Sequence, residues 1–471
     1  MSEILSSRGE LTTVTPMMQQ YLDVKSGYAE YILMYRLGDF FECFFEDAVT
    51  ASRVLELTLT ARDCGDGKRA AMCGVPFHKA DVYIGKLVEH GYKVAVCEQV
   101  ENPAEATGIV RREVVRVVTP GTVTDDSCLA ECRHNYLAAI CLGEDGTGLA
   151  FADISTGEVA VTRIPSEDGM DKLRSELGAY TPSEVLLNVS HRTVGTLGRF
   201  LTDTLNATVS DGRADLFDEE HATLDAKACF GESAALLNEK AMLLAVGALL
   251  AYIRETQMCA PTFLRDLKVY SEGQYMEMDL NTRRNLELLE SMRTKEKRGT
   301  LLWVLDKTKT AMGGRLLRSF IVKPLLSTVE ISHRQAAVTD FFRDYTLREE
   351  MRETLSHIVD LERLTARAVY GSANAKELRA ICDSLVHLPR VKELLATVKS
   401  PRMTEILHDL DTLEDLHALL DTALVDAPPF TVREGGMIRE GYNSDVDYLR
   451  SIRAGGEGWM RDIEEREREE P

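Results

Sequence analysis

The chain has 471 residues, 44% of them apolar and 28% charged, which places it among folded proteins of two to four domains and apart from disordered ones. Its longest apolar run, "AMLLAVGALLAYI" from Ala241 to Ile253, is shorter than the roughly 20 residues a bilayer takes, and the polar opening "MSEILSSRGELTT" lacks the apolar stretch of an export signal. A formal charge of −21 weighs against a nucleic-acid partner for the chain as a whole, yet a large acidic protein has room for a local basic face.

The first segment reads as mixed α/β. Thr15-Pro16 is a helix start, with Thr as N-cap and Pro at the first helical position, and the helix "PMMQQYLDVKSG" closes at Gly27. "YILMYRL" is a short apolar, aromatic strand, and "EDAVTASRVLELT" spaces Ala48, Ala51, Val54 and Leu55 as a helix does. "DCGDGKRA" reads as a loop. "DVYIGKLVEHGY" is a helix closed by Gly91, and "KVAVCEQV" and "REVVRVVTPGTV" are strands, the second stopped by Pro120-Gly121.

A second α/β segment follows. "NYLAAICLGEDGTGLAFADISTGEVAVTRI" holds β runs joined by "GEDGTG" and "STGE", a meander of hairpins. "DKLRSELGAY" is a helix, "EVLLNV" a strand, and the apolar run at Ala241 a fully buried helix. Boundaries are marked near Cys128 to His134 and near Cys259 to Pro261.

From about Leu280 helical periodicity dominates. "NLELLESM", "TLLWVLDKTK", "GRLLRSFI", "AAVTDFF", "VDLERLTARAV" and "AKELRAICDSLVHL" all carry apolar stripes at helical spacing, and Pro324 stops one helix. Thr310 is placed to cap a helix whose first turn holds Gly313 and Gly314, a costly pair that points to close approach of another backbone. Arg283 and Glu287 stand four apart, the spacing of a surface ion pair. The final "GWMRDIEEREREEP" is helical and charged, and reads either as a frayed tail or as the start of a longer helix.

A search for reactive constellations finds none. The sequence contains no Gly-x4-Gly-Lys-Ser/Thr, no H-E-x-x-H and no G-x-S-x-G. Ten cysteines without a framework read as free thiols in a reducing cytoplasm, and Cys128, Cys132, His134 and Cys141 do not match a zinc spacing. Asp153 could stand where a metal-dependent nuclease keeps its first acid, but two-metal hydrolysis needs several converging carboxylates; the simpler reading is an Asp capping the turn into "STGE". No catalytic residue and no metal ligand is assigned.

The stretch "YRLGDFFECFFEDA", Tyr35 to Ala48, is less ordinary: it sets Glu42 between two pairs of phenylalanines. In one reading all four rings are core and Glu42 is a solvated edge residue. In the other, Gly38 and Asp39 turn the chain so that Phe40 and Glu42 share a face while Phe41 packs inward. A Phe inserted between base steps senses deformability, because unstacking costs less where pairing is faulty. An acid beside it is repelled by phosphate and is useful only if it accepts a hydrogen bond from a base edge.

"TPMMQQYLDVKSGYAEYILMYRLGDFFECFFEDA" resembles the mismatch-recognition domain of the bacterial MutS family, which carries a Gly-Asp-Phe-x-Glu motif at this place. The resemblance continues through "CGVPFHKADVYIGKLVEHGYKVAVCEQVENP", "VVRVVTPGT", "YMEMDLNTRRNLELLES", "RGTLLWVLDKTKTAMGGRLLRSFIVKPL", "DLERLTAR" and "GGMIREGYNSDVDYLR". It implies two N-terminal α/β domains, a mixed-sheet mismatch-recognition domain over 1–127 and an RNase H-like connector over 128–262. An all-α core or lever domain over 263–452 and the start of a clamp helix at 453–471 would follow.

By that resemblance Phe40 is the intercalating wedge and Glu42 the base-contacting acid, with Leu37, Gly38, Asp39, Arg62 and Arg112 as supporting DNA contacts. Arg62 and Arg112 stand where the family contacts the DNA backbone, although ordinary surface ion pairing fits each equally well. Family members often have Tyr where this chain has Phe41.

The family couples sensing to a C-terminal ATPase using ATP and Mg2+, and its phosphate loop is not in this sequence, so the chain resembles the first half of such a protein and is expected to be no enzyme. Expected partners are double-stranded DNA with mismatches or small loops, a MutL-type protein and, for the full-length protein, a second copy; a bacterial cytoplasm, at the nucleoid and off the membrane, is the expected place. The rival readings are a MutS-like scaffold for proteins or branched DNA, whose members tend to lack the Phe-x-Glu pair, and a nuclease acting through the connector.

Overall fold

The computed structural model describes residues 4–5, 14–65, 67–101, 108–210, 212–271, 273–453 and 455. The chain forms two compact units, Met1–Thr328 and Val329–Pro471.

Among the described residues the first unit opens with a mixed seven-stranded sheet. Its strands are β1 (Ile4–Leu5), β2 (Ile32–Leu37), β3 (Phe40–Phe44), β4 (Thr60–Gly65), β5 (Lys68–Pro76), β6 (Val94–Gln99) and β7 (Arg112–Val118). They run in the order β1-β5-β3-β2-β6-β7, with β4 paired to β5. Helix α1 (Pro16–Gly27) covers one face, where Met18, Tyr21 and Leu22 meet Leu33, Tyr35, Phe44, Ala95 and Cys97. Helices α2 (Phe45–Leu55) and α3 (Ala80–Glu89) cover the other, burying Ala48, Ala51, Ile84 and Leu87 against Met34, Phe41, Cys43, Val75 and Val96. Alternate residues of each strand therefore feed opposite cores. Thr15 stands at the N-cap of α1 with Pro16 inside it, but its hydroxyl makes no capping bond. "DCGDGKRA" is no loop: β4 and β5 pair antiparallel through it, and its glycines mark the hairpin bend.

The second sheet has the order β12-β11-β8-β9-β10-β13. The meander β8 (Tyr136–Gly143), β9 (Gly146–Asp153) and β10 (Glu158–Ile164) is antiparallel, while β11 (Glu184–Leu187), β12 (Thr208–Ser210) and β13 (Asp266–Val269) are added in parallel. Helix α4 (Gly169–Tyr180), the single turn α5 (Thr196–Arg199), α6 (Glu219–Phe230) and α7 (Lys240–Gln257) complete the layer. Helix α7 carries the long apolar run and buries Ala245, Val246, Ala248, Leu249, Leu250, Tyr252 and Ile253 as it crosses β8 and β9. Among the described residues no helix is long and apolar enough to cross a membrane.

Helices α8 (Leu280–Asn285), α9 (Leu301–Leu305) and α10 (Ala311–Val322) belong to the same unit. "NLELLESM" is not helical as its spacing suggests: α8 ends at Asn285, and Glu287 takes φ 48, a backbone that breaks a right-handed helix. The chain instead folds back, so that Leu288 O accepts from Leu302 N at 2.9 Å and both leucines are buried together. Arg283 accordingly makes no helical pair with Glu287. It is buried and donates to Ser175 O at 2.8 Å. Thr310 does cap α10, its hydroxyl accepting from Gly313 N at 3.1 Å. What Gly314 admits is a side chain, not a backbone: a Cβ there would lie 2.7 Å from Cys132 Sγ.

The second unit is helical: α11 (Thr328–Arg343), α12 (Tyr345–Leu355), α13 (Leu361–Val369), α14 (Ala375–Leu385), α15 (Leu388–Leu395), α16 (Pro401–Asp409) and α17 (Glu414–Ala423) follow, and residues 444–453 are helical too. Their starts are written in the sequence. Asp344 and Asp360 cap α12 and α13, Asn374 and Glu377 form a capping box on α14, and Pro401 opens α16. Of the segment 453–471, expected to start a clamp helix, all but residues 453 and 455 lie outside the described residues.

Candidate nucleic-acid interface

Leu37 pairs with Phe40 across β2 and β3, so Gly38 and Asp39 make the whole turn. Gly38 takes φ 59, the first central position at which a two-residue hairpin turn asks for glycine. Both turn carbonyls are held. Arg36 Nε donates to Gly38 O at 2.5 Å, and Phe77 N donates to Asp39 O at 3.0 Å. The Arg36 guanidinium lies 3.9 Å from the centre of the Phe77 ring and 5.4 Å from that of Phe41, and the residue is buried. Cation–π stacking of this kind favours a planar guanidinium over an ammonium.

On this seat Phe40 is 47% exposed, whereas Phe41, Phe44 and Phe45 are 4%, 0% and 7% exposed. Three of the four rings are core and the one at the tip is not. A large apolar ring held in water at the end of a fixed turn contributes nothing to folding that a smaller residue would not.

Glu42 follows two residues on, on the face of Phe40, flanked by Tyr35 on β2 and Gly74 on β5. Gly74 leaves the room that Glu42 occupies: a Cβ there would lie 3.2 Å from both Glu42 Cγ and Phe41 O. The Glu42 carboxylate accepts from Arg62 Nη1 at 2.5 Å. The acid is 15% exposed and the arginine 41%. Arg62 reaches it from β4, on the far side of β5.

Arg112, the other arginine expected at the DNA backbone, lies mostly inside the domain. It is buried, donates from Nε to Arg36 O at 2.6 Å and from Nη1 to Gln20 Oε1 at 3.0 Å and Val110 O at 2.9 Å, and faces the Tyr35 ring at 5.2 Å. Its Nε and Nη1 donors are turned to protein carbonyls, a strut between α1, β2 and the chain leading into β7. Burial pushes the Tyr35 hydroxyl up to about 12, against the opposing pull of Arg112, so that ring stays neutral. Of the remaining expected contacts, Gly38 and Asp39 are exposed and Leu37 is half-buried.

Arg36, Phe77 and Gly74 were not singled out by the sequence. Arg36 left one signal: a cation inside an apolar strand, two residues before the turn. Phe77 and Gly74 left none, since only the pairing of β3 with β5 brings them here.

The second sheet holds acids of another kind. Asp153 is wholly buried, with His134 Nδ1 at 2.7 Å and Ser155 N and Oγ at 2.9 and 2.7 Å, the turn cap that its sequence context suggests. Among the described residues no group of His, Cys, Asp and Glu is arranged to hold a metal ion.

Family models match three consecutive stretches: MutS domain I over residues 15–127, MutS domain II over 135–264 and MutS domain III over 281–470. Among curated proteins the chain is similar to the DNA mismatch repair protein MutS of Acetivibrio thermocellus, 44% identical over 462 residues, covering 98% of this chain and 53% of that protein. The protein of the same name from Desulforamulus reducens is 45% identical over 97% of this chain and 53% of its own length. That from Lachnoclostridium phytofermentans is 43% identical over 98% and 50%. The chain spans about half the length of the curated relatives it matches.

Proposed function

The chain belongs to the MutS family, and from that premise we propose that it recognises mispaired or looped-out bases in double-stranded DNA and so opens mismatch repair. Phe40 is the wedge. It enters the base stack from the minor groove, and the duplex kinks at the step that yields most easily. Glu42, on the same face, accepts a hydrogen bond from a base edge that a sound pair would keep engaged. The single observation that carries this reading is an aromatic ring 47% exposed at the tip of a turn whose two carbonyls are both tied down.

Rigidity is part of the mechanism. Unstacking costs a few kcal/mol per step, and a wedge that folded back would not deliver that energy to the DNA. The Arg36 stack on Phe77 and the Arg112 strut behind it stiffen the hairpin from the protein side. Arg112 thus serves as a positioning residue, and Gly38 and Asp39 follow the phosphate path as the exposed tip.

The second sheet, with β11 and β12 added in parallel beside an antiparallel meander, supports the RNase H-like connector reading without giving it a hydrolytic role. The helices beyond it fit the core or lever. ATP with Mg2+, recruitment of a MutL-type protein and dimerisation belong to the whole protein in this reading, and no residue of the chain is assigned to them. A scaffold that reads no mismatches would have no use for an exposed ring on a pinned turn.

The deciding experiment is a pair of binding curves, G·T-mismatched duplex against homoduplex, for the parent and Phe40→Ala in the intact protein that carries this chain. The mutant is expected to lose its mismatch preference, by roughly 10-fold or more given the cost of one unstacked step. Equal discrimination by both proteins ends the proposal.

A further inference from the structure

The arginine at 2.5 Å from Glu42 has no counterpart in a simple wedge-and-acid scheme. Among the described residues Glu42 and Arg62 are each other's only side-chain partner, unlike Arg36 and Arg112, whose guanidinium groups are each tied to backbone and ring and to a further side chain, Glu98 and Gln20. The pair lies on the face of the exposed ring, and its arginine half is 41% exposed. A partly exposed ion pair of this kind is weak enough to be exchanged for another partner.

We propose that Arg62 is a specificity-determining residue: it holds Glu42 while no base edge is on offer, and turns to a phosphate when one takes its place. The proposal rests on the mismatch-reading function above. On sound DNA every base edge is engaged, the pair stays closed, and the carboxylate meets the phosphates with its charge balanced. Arg62 then gives nothing to the backbone. At a mispaired base Glu42 swings to the free donor and Arg62 is released with an unmatched charge beside a polyanion. One base contact therefore brings a phosphate contact with it, and only at a mismatch. Arginine suits both states because its fork matches carboxylate and phosphate alike.

The exchange has a signature that a structural role would not produce. Each phosphate neutralised adds about 0.9 to the slope of log affinity against log salt concentration. In the intact protein, Arg62→Ala is expected to lower that slope by about 0.9 on G·T-mismatched duplex and to leave it unchanged on homoduplex. Glu42→Ala, which frees the arginine permanently, is expected to raise the homoduplex slope by about 0.9, and Arg62→Lys to behave nearly as the parent. Equal loss of slope on both duplexes would make Arg62 a constitutive backbone contact, and no change on either would make the pair permanent; each outcome overturns the exchange. Loss of all mismatch preference in the parent, or its survival in Phe40→Ala, would instead bring down the underlying function.

Discussion

Two acids on two sheets of the same unit show what separates a reader from a strut. Glu42, at the hairpin tip, has one side-chain partner, and that partner is 41% exposed. Glu184, at the junction of the two sheets, is wholly buried. It accepts from Thr119 Oγ1, from Gly121 N at 3.1 Å, from Ser210 Oγ at 3.0 Å and from Tyr252 Oη at 2.7 Å, with Lys93 Nζ at 3.2 Å. Its donors come from both sides of the joint, Lys93, Thr119 and Gly121 from the entrance and exit of the first sheet, Ser210 from β12 of the second and Tyr252 from helix α7. An acid saturated by fixed donors cannot exchange them without leaving several buried groups unpaired, whereas an acid with one partly exposed partner can. Number and exposure of partners, more than charge or sequence context, mark the group available for recognition.

The sharpest way to break this contrast is to remove each acid in turn and follow stability and binding together. Glu184→Ala is expected to cost about 3 kcal/mol or more, because it takes the one carboxylate from four donors at a buried position and leaves the Lys93 charge unbalanced beside them. Thermal or denaturant unfolding of the chain measures this. A loss below about 1 kcal/mol would mean that the joint is wet and that the comparison fails on its buried side. The middle case is Arg36→Ala, which removes the stack on Phe77, the bond to Gly38 O and the ion pair with Glu98 at 3.4 Å while leaving Phe40 itself unchanged. Mismatch affinity is expected to fall about 10-fold or somewhat more, since a hydrogen bond to a charged group contributes about 1.5–3 kcal/mol and each ~1.4 kcal/mol is tenfold. Arg36→Lys should not restore it, since an ammonium lacks the planar fork. Full restoration by Lys would show that charge, not the seat, is what the tip requires.

How much of this could be read beforehand follows the range of the interactions. Alternation along a strand is local, so the shared face of Phe40 and Glu42, the inward turn of Phe41 and the Gly38-Asp39 bend were all legible. Caps are local too, and Thr310 and Gly313 stand as their spacing says. Pairing is not local. Arg62, Gly74 and Phe77 reach the tip only because β4 and β5 fold onto β3, in a stretch that reads as a loop from its glycines and charges. Burial of Arg112 was hidden for the same reason: nothing in its neighbourhood announces that Gln20 and the Arg36 carbonyl wait for it. The stripe in "NLELLESM" misleads in the opposite sense. Its leucines have helical spacing, but Leu288 finds Leu302 and Leu286 is left 59% exposed, so the tertiary contact prevails over the period.

The smallest effect falls on the acid that matters most for reading, and it tests the exposed side of the comparison. Glu42→Ala removes one ion pair whose arginine is well exposed, and such pairs contribute roughly 0–1 kcal/mol. Glu42 is itself 15% exposed beside a more exposed arginine, so the loss of its side chain leaves space that water can enter. Unfolding of the variant should therefore shift by less than about 1 kcal/mol. Binding should move in a direction that a merely structural residue cannot produce. Homoduplex affinity is expected to hold or rise by a few fold, because a negative group beside phosphate is gone and Arg62 is free, while mismatch affinity falls or stays level. The two curves converge from both sides, and the convergence should be greatest at low salt, where charge is least screened. A variant that lost stability on the scale of Glu184→Ala, or that bound both duplexes equally worse, would show Glu42 to be part of the scaffold and would erase the distinction between the two acids.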